Sequence, residues 1–255
     1  MSESGKVTSE LSDNIGWVRF HHPKKNSLPR ALLDSIADAI ARFGEDPQAR
    51  AIVLASQGDG PFCAGASFEE LAAISEQEAG MHFFSGFAKV IMAMRDSHKF
   101  VIARVQGKVV GGGVGLVAAA DLALATTEAA VRMSELDLGI GPFVVGPVLE
   151  RRVGRTAFGA MAIDTEWRDA SWALAHGLYT HVAPSIEDLD EKLRAVTSKL
   201  AAHDPEAMAE LKRVLWRGTE SGNSLLAERA ALSGRLVLSR FAKDAIAKIK
   251  ANRGS

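Results

Sequence analysis

Three consecutive glycines, Gly111 to Gly113, constrain the fold of this chain more than any other feature. They follow an apolar segment at Phe100 to Val105 that is typical of a buried strand. They precede small residues at Val114 to Ala120 that predict a helix. Glycine costs backbone entropy wherever it stands, so three in succession indicate a turn where the backbone approaches a neighbour closely. A backbone N–H at the start of the helix lies at the positive end of its dipole, which suits an oxygen that carries or develops negative charge.

Spacing alone leaves several interpretations of this turn open. A phosphate-binding loop would need Lys and Ser or Thr after the glycines, where Val114 and Gly115 stand. A dinucleotide-binding fold would place spaced glycines near its first strand, with an acidic residue roughly 20 residues later. The remaining alternative is a tight strand–helix junction that binds no ligand.

Length and composition argue against several classes of protein. The 255 residues suffice for a well-buried core in one domain or slightly more. The formal net charge of −1 gives no electrostatic case for binding nucleic acid or a charged membrane surface. Cys63 is the single cysteine, which excludes an internal disulfide framework and favours a reducing compartment, so we expect a cytoplasmic protein. The polar N-terminus predicts no signal peptide, and no apolar run reaches the roughly 20 residues that span a membrane.

Strand and helix patterns alternate along the first 184 residues. Strands are predicted at 15–20, 51–55, 100–105, 122–125, 130–133 and 179–182, and helices at 27–44, from 68, at 76–96, 114–120, 147–153, 156–163 and 169–176. We expect Ser27 to cap the first helix, and Met81 to face the core from the long one. From Ser185 onward the periodicity is helical throughout, at 186–203, 205–216, 225–238 and 241–250. The pattern predicts an α/β core, residues 1–184, followed by a C-terminal helical subdomain, residues 185–255.

A second glycine-containing loop and one carboxylate complete a candidate site. Phe62 to Ser67 (FCAGAS), like Gly111 to Gly115, follows an apolar strand and opens a helix. Each loop is therefore able to point a free N–H at one spot, and an enolate or tetrahedral oxyanion needs two such donors. Glu135 follows a further apolar strand. Two donors and one carboxylate are a minimal set for taking a proton α to a carbonyl and returning it elsewhere.

These motifs resemble those of the crotonase superfamily, the enoyl-CoA hydratases and isomerases, over essentially the whole chain. The resemblance is carried, in order, by HPKKNSL, AIVLAS with FCAGAS, VQGKVVGGGVGLVAAADLALA, MSELDLGIGP and the A-x-x-x-GLY-x-x-V element at 173–182. It implies an α/β fold with a crotonase-like ββα spiral core, whose helical tail helps to close the site and to form trimers or dimers of trimers. It also implies an acyl-CoA thioester as substrate, with a role in fatty acid metabolism. No His/Cys/Asp cluster has ligand spacing, so we expect no metal and no cofactor beyond the thioester.

The resemblance assigns roles to particular residues. It implies that the backbone N–H groups of Ala66 and Gly112 form the oxyanion hole that holds the thioester carbonyl oxygen. It implies that the Ala64 carbonyl meets the adenine of coenzyme A, and that Lys24 lies near the coenzyme A phosphates. It also places Gly111 against the substrate.

The catalytic carboxylates depart from the family pattern. Glu135 matches the second glutamate of typical hydratases and is the expected acid/base. The first glutamate is missing, because Gly115 stands at its position. The usual glycine-rich turn after the second glutamate carries Phe143 and two valines, which would narrow or reshape the acyl pocket. We therefore expect Gly115 and Phe143 to contribute to substrate binding.

Two catalytic schemes fit one glutamate. In the first, Glu135 moves a proton from C2 to C4 of a 3-enoyl thioester. In the second, it activates water for addition at C3 of a 2-enoyl thioester. The sequence favours an enoyl-CoA hydratase/isomerase, with a lyase ahead of an isomerase. The alternatives are another reaction on the same scaffold, such as thioester hydrolysis, decarboxylation or dehalogenation, and a non-catalytic binder of acyl-CoA or RNA.

Three further residues have simpler interpretations. Asp121 follows a helix and precedes a strand, which favours a structural role. Cys63 lies in the first loop, but no histidine is tied to it by a motif, so we interpret it as a small buried residue rather than a nucleophile. His82 lies on the long helix, where a core or surface position is favoured over the acyl pocket.

Overall fold

A computed structural model describes residues 5–253 of the chain. The strands are β1 (Lys6–Ser12), β2 (Ile15–His21), β3 (Ala51–Ser56), β4 (Phe100–Val105), β5 (Val109–Val110), β6 (Leu122–Thr126), β7 (Val131–Arg132) and β8 (His181–Ala183). The helices are α1 (Arg30–Glu45), α2 (Phe68–Ala73), α3 (Gln77–Asp96), α4 (Gly112–Ala119), α5 (Gly146–Asp164), α6 (Ala170–Ala175), α7 (Ile186–Ala202), α8 (Pro205–Leu215), α9 (Gly222–Leu236) and α10 (Arg240–Arg253). One 3-10 turn, Leu136–Leu138, follows β7.

The main sheet has six strands in the order β1-β2-β3-β4-β6-β8. Only β1 and β2 are antiparallel, and every other neighbouring pair is parallel. All six residues of β3 are buried because α1 and α3 cover one face of the sheet and α7 covers the other. The strands β5 and β7 form a separate parallel pair. This arrangement confirms the predicted α/β fold class.

The two glycine-containing loops lie side by side. The Val110 N–H donates to the Cys63 carbonyl oxygen at 2.9 Å, and the Cys63 N–H donates to the Lys108 carbonyl oxygen at 3.4 Å. Gly113 lies against Cys63, since a Cβ built on this glycine would be 2.7 Å from the Cys63 Cβ. The glycine at 113 is therefore what allows the second loop to approach the first.

Several predicted helices and strands differ in detail from those in the structure. Ser27 does not cap α1; it bonds to the His22 ring at 3.2 Å, and Pro29 is the N-cap. Helix α4 begins at Gly112 rather than at Val114. The helices predicted at 147–153 and 156–163 are one element, α5, kinked at Gly154, whose φ is +78°. Met81 is 40% exposed on α3, while the neighbouring Phe83 is buried. Strand β1 was not predicted because it is an edge strand with mostly exposed polar residues.

The C-terminal helices pack on the core of their own chain. Asp121, between α4 and β6, accepts hydrogen bonds from the Val101 N–H at 2.7 Å and from Lys212 Nζ at 2.9 Å. Its other oxygen accepts from Trp216 Nε1 at 3.0 Å. Asp121 therefore joins α8 to the sheet, and its predicted structural role is confirmed. Helices α9 and α3 cross so closely that a Cβ on Gly80 would lie 2.7 Å from the Cα of Gly234. The division of the chain at residue 184 stays a prediction.

None of the helices within residues 5–253 combines the length and the hydropathy that crossing a bilayer requires. The same residues include no group of three or more His, Cys, Asp or Glu side chains arranged to hold a metal ion.

Candidate active site

One cavity of about 1280 Å³ lies where the two glycine-containing loops, β7 and the 3-10 turn meet. Of the eight predicted site residues, seven line this cavity: Lys24, Ala64, Ala66, Gly111, Gly112, Glu135 and Phe143. Helix α10 contributes Ile249 and Lys250 to the wall, so the tail reaches the cavity of its own chain.

Two of the residues that line this cavity have backbone N–H groups without an acceptor among residues 5–253. The Ala66 N–H is left free because the hydrogen bonds to Leu28 are made by its neighbours, the Gly65 carbonyl oxygen at 2.9 Å and the Ser67 N–H at 3.0 Å. Gly112 is the first residue of α4, where N–H groups have no partner within the helix. Neither N–H donates a hydrogen bond within residues 5–253. A ligand oxygen is therefore able to accept from either.

The glycine-rich turn is shaped around Glu135. Gly111 has φ +56° and ψ −125°, which side chains strongly disfavour. A Cβ at Gly111 would lie 3.1 Å from Oε1 of Glu135, so the carboxylate stands against the turn. The ring of Phe87 packs on Gly112, 2.4 Å from where its Cβ would be. Glycine is favoured at 111 by the backbone conformation and at 112 by the contact with Phe87.

The Glu135 carboxylate is buried and incompletely bonded. Its Oε2 is buried and has no hydrogen-bond partner within residues 5–253, although other parts of the residue reach the cavity surface. Burial raises the pKa of Glu135 from 4.5 to about 7. The N–H groups of Glu135 and Ser134 oppose this rise, and the negative charge of Asp137 adds to it. A carboxyl group with this pKa is suited to both accepting and donating a proton near neutral pH.

A polar network that the sequence did not reveal lies beside Glu135. Arg132 donates to the Thr165 carbonyl oxygen at 2.6 Å and to Asp137 Oδ2 at 2.9 Å. The Thr165 hydroxyl donates to Asp137 Oδ1 at 2.8 Å. Arg132 and Asp137 both line the cavity. No motif links these three residues, because the contact between the end of α5 and the 3-10 turn is made only by the fold.

A family model described as enoyl-CoA hydratase/isomerase matches residues 10–249. This chain belongs to the enoyl-CoA hydratase/isomerase family. The mitochondrial enoyl-CoA hydratase of Pongo abelii is 30% identical over 235 residues, covering 91% of this chain and 78% of that protein. The carnitinyl-CoA dehydratase of Proteus mirabilis is 29% identical over 216 residues, covering 84% of this chain and 80% of that protein. The family assignment makes this chain an enzyme of the crotonase superfamily, as the motifs predicted.

Solved structures of the family have the same fold. The enoyl-CoA hydratase of Bacillus halodurans superposes with a TM-score of 0.88 at 20% identity, covering 95% of this chain and 99% of that one. The enoyl-CoA hydratase of Mycobacterium smegmatis has a TM-score of 0.79 at 28% identity, covering 96% of each chain. The predicted crotonase-like architecture is confirmed by these neighbours.

Gly115 is the exception among the predicted site residues of this family member. It is buried and is not among the residues that line the cavity. A Cβ at Gly115 would lie 2.2 Å from Cγ1 of Val145, and Val145 itself lines the cavity. The expectation that Gly115 contacts the substrate stays a prediction, and Val145 is the neighbouring residue that reaches the cavity. Val145 packs where the first hydratase glutamate would begin, and no side chain fits at 115 without displacing it.

The other residues singled out in the sequence have clear positions. Cys63 is buried, as predicted, and burial raises the pKa of its thiol to about 12, which disfavours the reactive thiolate. Lys24 pairs with Glu69 at the exposed rim of the cavity. Phe143 lines the cavity and packs on Gly141, 2.3 Å from where its Cβ would be. His82 is exposed and does not line the cavity.

Proposed function

We propose that this protein is an enoyl-CoA hydratase/isomerase that acts on an acyl-CoA thioester with Glu135 as its single acid/base. The observation that carries the proposal is the buried, unpartnered Oε2 of Glu135, in the same cavity as two N–H groups without acceptors. Ala66 and Gly112 supply these N–H groups as the oxyanion hole. Removing one such donor typically lowers the rate by about 10²–10³.

The proposed chemistry starts at the thioester carbonyl. Its oxygen accepts hydrogen bonds from the backbone N–H groups of Ala66 and Gly112. These hydrogen bonds stabilise the negative charge that develops on the oxygen when C2 becomes nucleophilic. Glu135 stands against Gly111, next to the donor at Gly112. Its raised pKa makes the carboxylate a stronger base than an exposed glutamate and lets the protonated form return the proton.

Hydration is the first candidate reaction. The matched relatives from Pongo abelii and Proteus mirabilis are named as an enoyl-CoA hydratase and a carnitinyl-CoA dehydratase. The human relative, 30% identical over 200 residues, is named as a methylglutaconyl-CoA hydratase. In this proposal Glu135 takes a proton from water as the water attacks C3. Glu135 then passes that proton to C2, or a second group supplies the C2 proton.

Double-bond isomerisation is the second candidate, and Val145 favours it. Residue 115 is a glycine and Val145 packs against it. No carboxylate at that position is therefore able to bind the attacking water together with Glu135. Moving a proton from C2 to C4 of a 3-enoyl thioester needs only one base. The apolar side chain beside the reacting carbons is compatible with that transfer.

The binding of coenzyme A itself follows the family resemblance. We propose that the Ala64 carbonyl meets the adenine and that Lys24 contacts a phosphate at the rim. The Ala64 carbonyl accepts no hydrogen bond within residues 5–253, which leaves it available. Gly111 and Phe143 complete the proposed substrate contacts. A homotrimer or dimer of trimers, a cytoplasmic location, a role in fatty acid metabolism and the lack of any further cofactor are proposed on the same grounds.

The test follows the ultraviolet absorbance of the conjugated enoyl thioester. Wild type and Glu135→Gln are compared on 2-enoyl-CoA and 3-enoyl-CoA esters of several lengths. Loss of absorbance from 2-enoyl esters shows hydration, and gain from 3-enoyl esters shows isomerisation. We expect Glu135→Gln to lower either rate by about 10²–10⁴. The matched control is Glu69→Gln, which removes an exposed carboxylate lining the same cavity and should leave kcat unchanged.

Two results would contradict the proposal. Equal rates in wild type and Glu135→Gln would remove the role of Glu135. Release of free coenzyme A, detected with a thiol reagent, without any change in the double bond would assign thioester hydrolysis instead.

A further inference from the structure

A second buried polar group opens onto the cavity. Ser233 on α9 is only 1% exposed, yet it is among the residues that line the cavity. No side-chain hydrogen bond joins Ser233 to another of residues 5–253, and its Oγ is not among the fully buried atoms without partners there, which fits a hydroxyl that the cavity reaches. A helix serine commonly bonds a carbonyl one turn earlier, as Ser35 does to Ala31 at 2.9 Å. Ser233 leaves that bond unmade.

The helix crossing explains why Ser233 reaches the cavity. Gly80 and Gly234 bring the backbones of α3 and α9 into contact, and Ser233 is the residue before Gly234. One turn later, Val237 belongs to an apolar cluster with Leu71 and Ile140, two residues that line the cavity. The hydroxyl is therefore part of an otherwise apolar wall.

The other buried hydroxyl groups that line the cavity already have hydrogen-bond partners. Ser27 bonds to the His22 ring at 3.2 Å. The Ser67 hydroxyl caps α2 by accepting from the Glu70 N–H at 3.3 Å. Ser233 differs from both, because no other side chain or backbone group among residues 5–253 bonds its hydroxyl. The proposed reaction accounts for Glu135 and leaves Ser233 without a role.

The surroundings of Ser233 indicate which part of a thioester it meets. The residues that α3 and α9 contribute to the cavity are Phe84, Phe87 and Ser233, none of them charged. Phosphates would be poorly placed there, whereas Lys24 and Lys250 offer positive charge elsewhere in the lining. An acyl chain suits an apolar wall, and one hydroxyl in that wall suits one neutral oxygen on the chain.

We propose that Ser233 is a specificity-determining residue that binds a neutral hydroxyl or keto oxygen on the acyl chain. The protein then selects oxygen-bearing acyl groups over hydrocarbon chains of the same length. This inference rests on the proposed acyl-CoA function. A bound hydrocarbon chain leaves the Ser233 hydroxyl without a partner and excludes water from it. A site with such an unpaired polar group rejects the acyl-CoA that lacks the oxygen.

The test uses binding, so it does not depend on turnover. Calorimetry measures the Kd of saturated hexanoyl-CoA and octanoyl-CoA and of their hydroxy and keto derivatives at C4 to C7. In wild type, we expect at least one position where the oxygenated ester binds about 10-fold more tightly than the plain ester of the same length. Ser233→Ala should remove that preference without weakening the binding of the plain ester. Ser224→Ala, on an exposed part of the same helix, should keep the preference.

A second variant separates loss of the hydroxyl from misfolding of Ser233→Ala. Ser233→Cys keeps nearly the same shape but hydrogen-bonds weakly, so it should also lose the preference. The inference is overturned if no oxygenated ester is preferred by wild type, or if the preference survives in both Ser233 variants. Wild type that binds plain esters without any preference refutes only the role of Ser233. Wild type that binds no acyl-CoA refutes the proposed function as well.

Discussion

The Oε1 of Glu135 lies 3.1 Å from the point where a Cβ of Gly111 would stand. The catalytic carboxylate proposed here is thus held against the turn that supplies one oxyanion donor. Gly111 also has a positive φ of +56°, so a side chain at this position would be strained as well as close to the carboxylate. The local geometry places the proposed base and one proposed oxyanion donor at the same turn.

Gly111→Ala tests this arrangement. The added methyl group meets Glu135 and forces an unfavourable backbone conformation, so we expect kcat/KM to fall by at least about 10²-fold. The backbone strain alone should lower the free energy of unfolding by about 1–3 kcal/mol. Gly218→Ala is the control, since Gly218 has φ +85° but open space around its Cβ position. That variant should lose stability and keep its activity; equal activity losses in both would contradict a specific contact with Glu135.

The raised pKa of Glu135 predicts how stability depends on pH. The folded-state pKa is about 7 and the ordinary value is 4.5, so the folded state holds the proton more tightly than the unfolded state. This contribution is fully present below pH 4.5 and is lost as the pH rises through about 7, by up to about 3 kcal/mol. Glu135→Gln cannot ionise. Urea unfolding should therefore show Glu135→Gln gaining stability over wild type between pH 5 and pH 8, and a constant difference would contradict the raised pKa.

The network beside Glu135 predicts shifts in the pH profile of kcat/KM. The negative charge of Asp137 raises the pKa of Glu135, so Asp137→Asn should move the acid limb to lower pH. Arg132→Gln should move it to higher pH, because it removes the cation that pairs with Asp137. A purely structural role for the network would lower the rate in both variants without moving the limb in opposite directions.

The packing of Val145 on Gly115 predicts a strong coupling between the two positions. Gly115→Glu alone puts a Cβ 2.2 Å from Val145, so overpacking should lower the free energy of unfolding by about 1–3 kcal/mol or more. Adding Val145→Gly removes the clashing atoms and should recover part of that loss. If the Val145 packing also limits hydration, the double variant should hydrate 2-enoyl-CoA faster than Val145→Gly alone. Strictly additive stability changes would show that the two side chains do not compete for one space.

The buried pair of Lys212 and Asp121 predicts how firmly α8 is attached. The Lys212 side chain is 2% exposed, and Lys212→Ala leaves Asp121 without its cation. Urea unfolding should show a loss of about 3–5 kcal/mol. The control is Arg213→Ala, one residue further on the same helix, whose pair with Glu210 is exposed and should contribute little to stability. Losses of similar size in both variants would contradict the importance of burial.

Local sequence was enough to predict the strands and loops that build the site. The apolar runs of β3 and β4 predict buried strands, and Gly65 and Gly111, which both have positive φ angles, lie in turns that disfavour side chains. Glu135 was singled out because it comes soon after a short apolar strand and matches a glutamate in the motifs of the family. Boundaries at helix ends were less accurate, as Ser27 and Gly112 show.

What the sequence by itself determined is the set of chemical groups: two glycine-containing loops, one glutamate and a helical tail in a fixed order. Tertiary structure alone decided which groups meet. Val145 fills the space at Gly115, Asp137 joins Arg132 and Thr165, and Ser233 reaches the cavity across a helix crossing. These contacts join residues far apart in the chain or on different elements, so no periodicity or spacing encodes them. They depend on how side-chain volumes fill the interior, which only the packed chain defines.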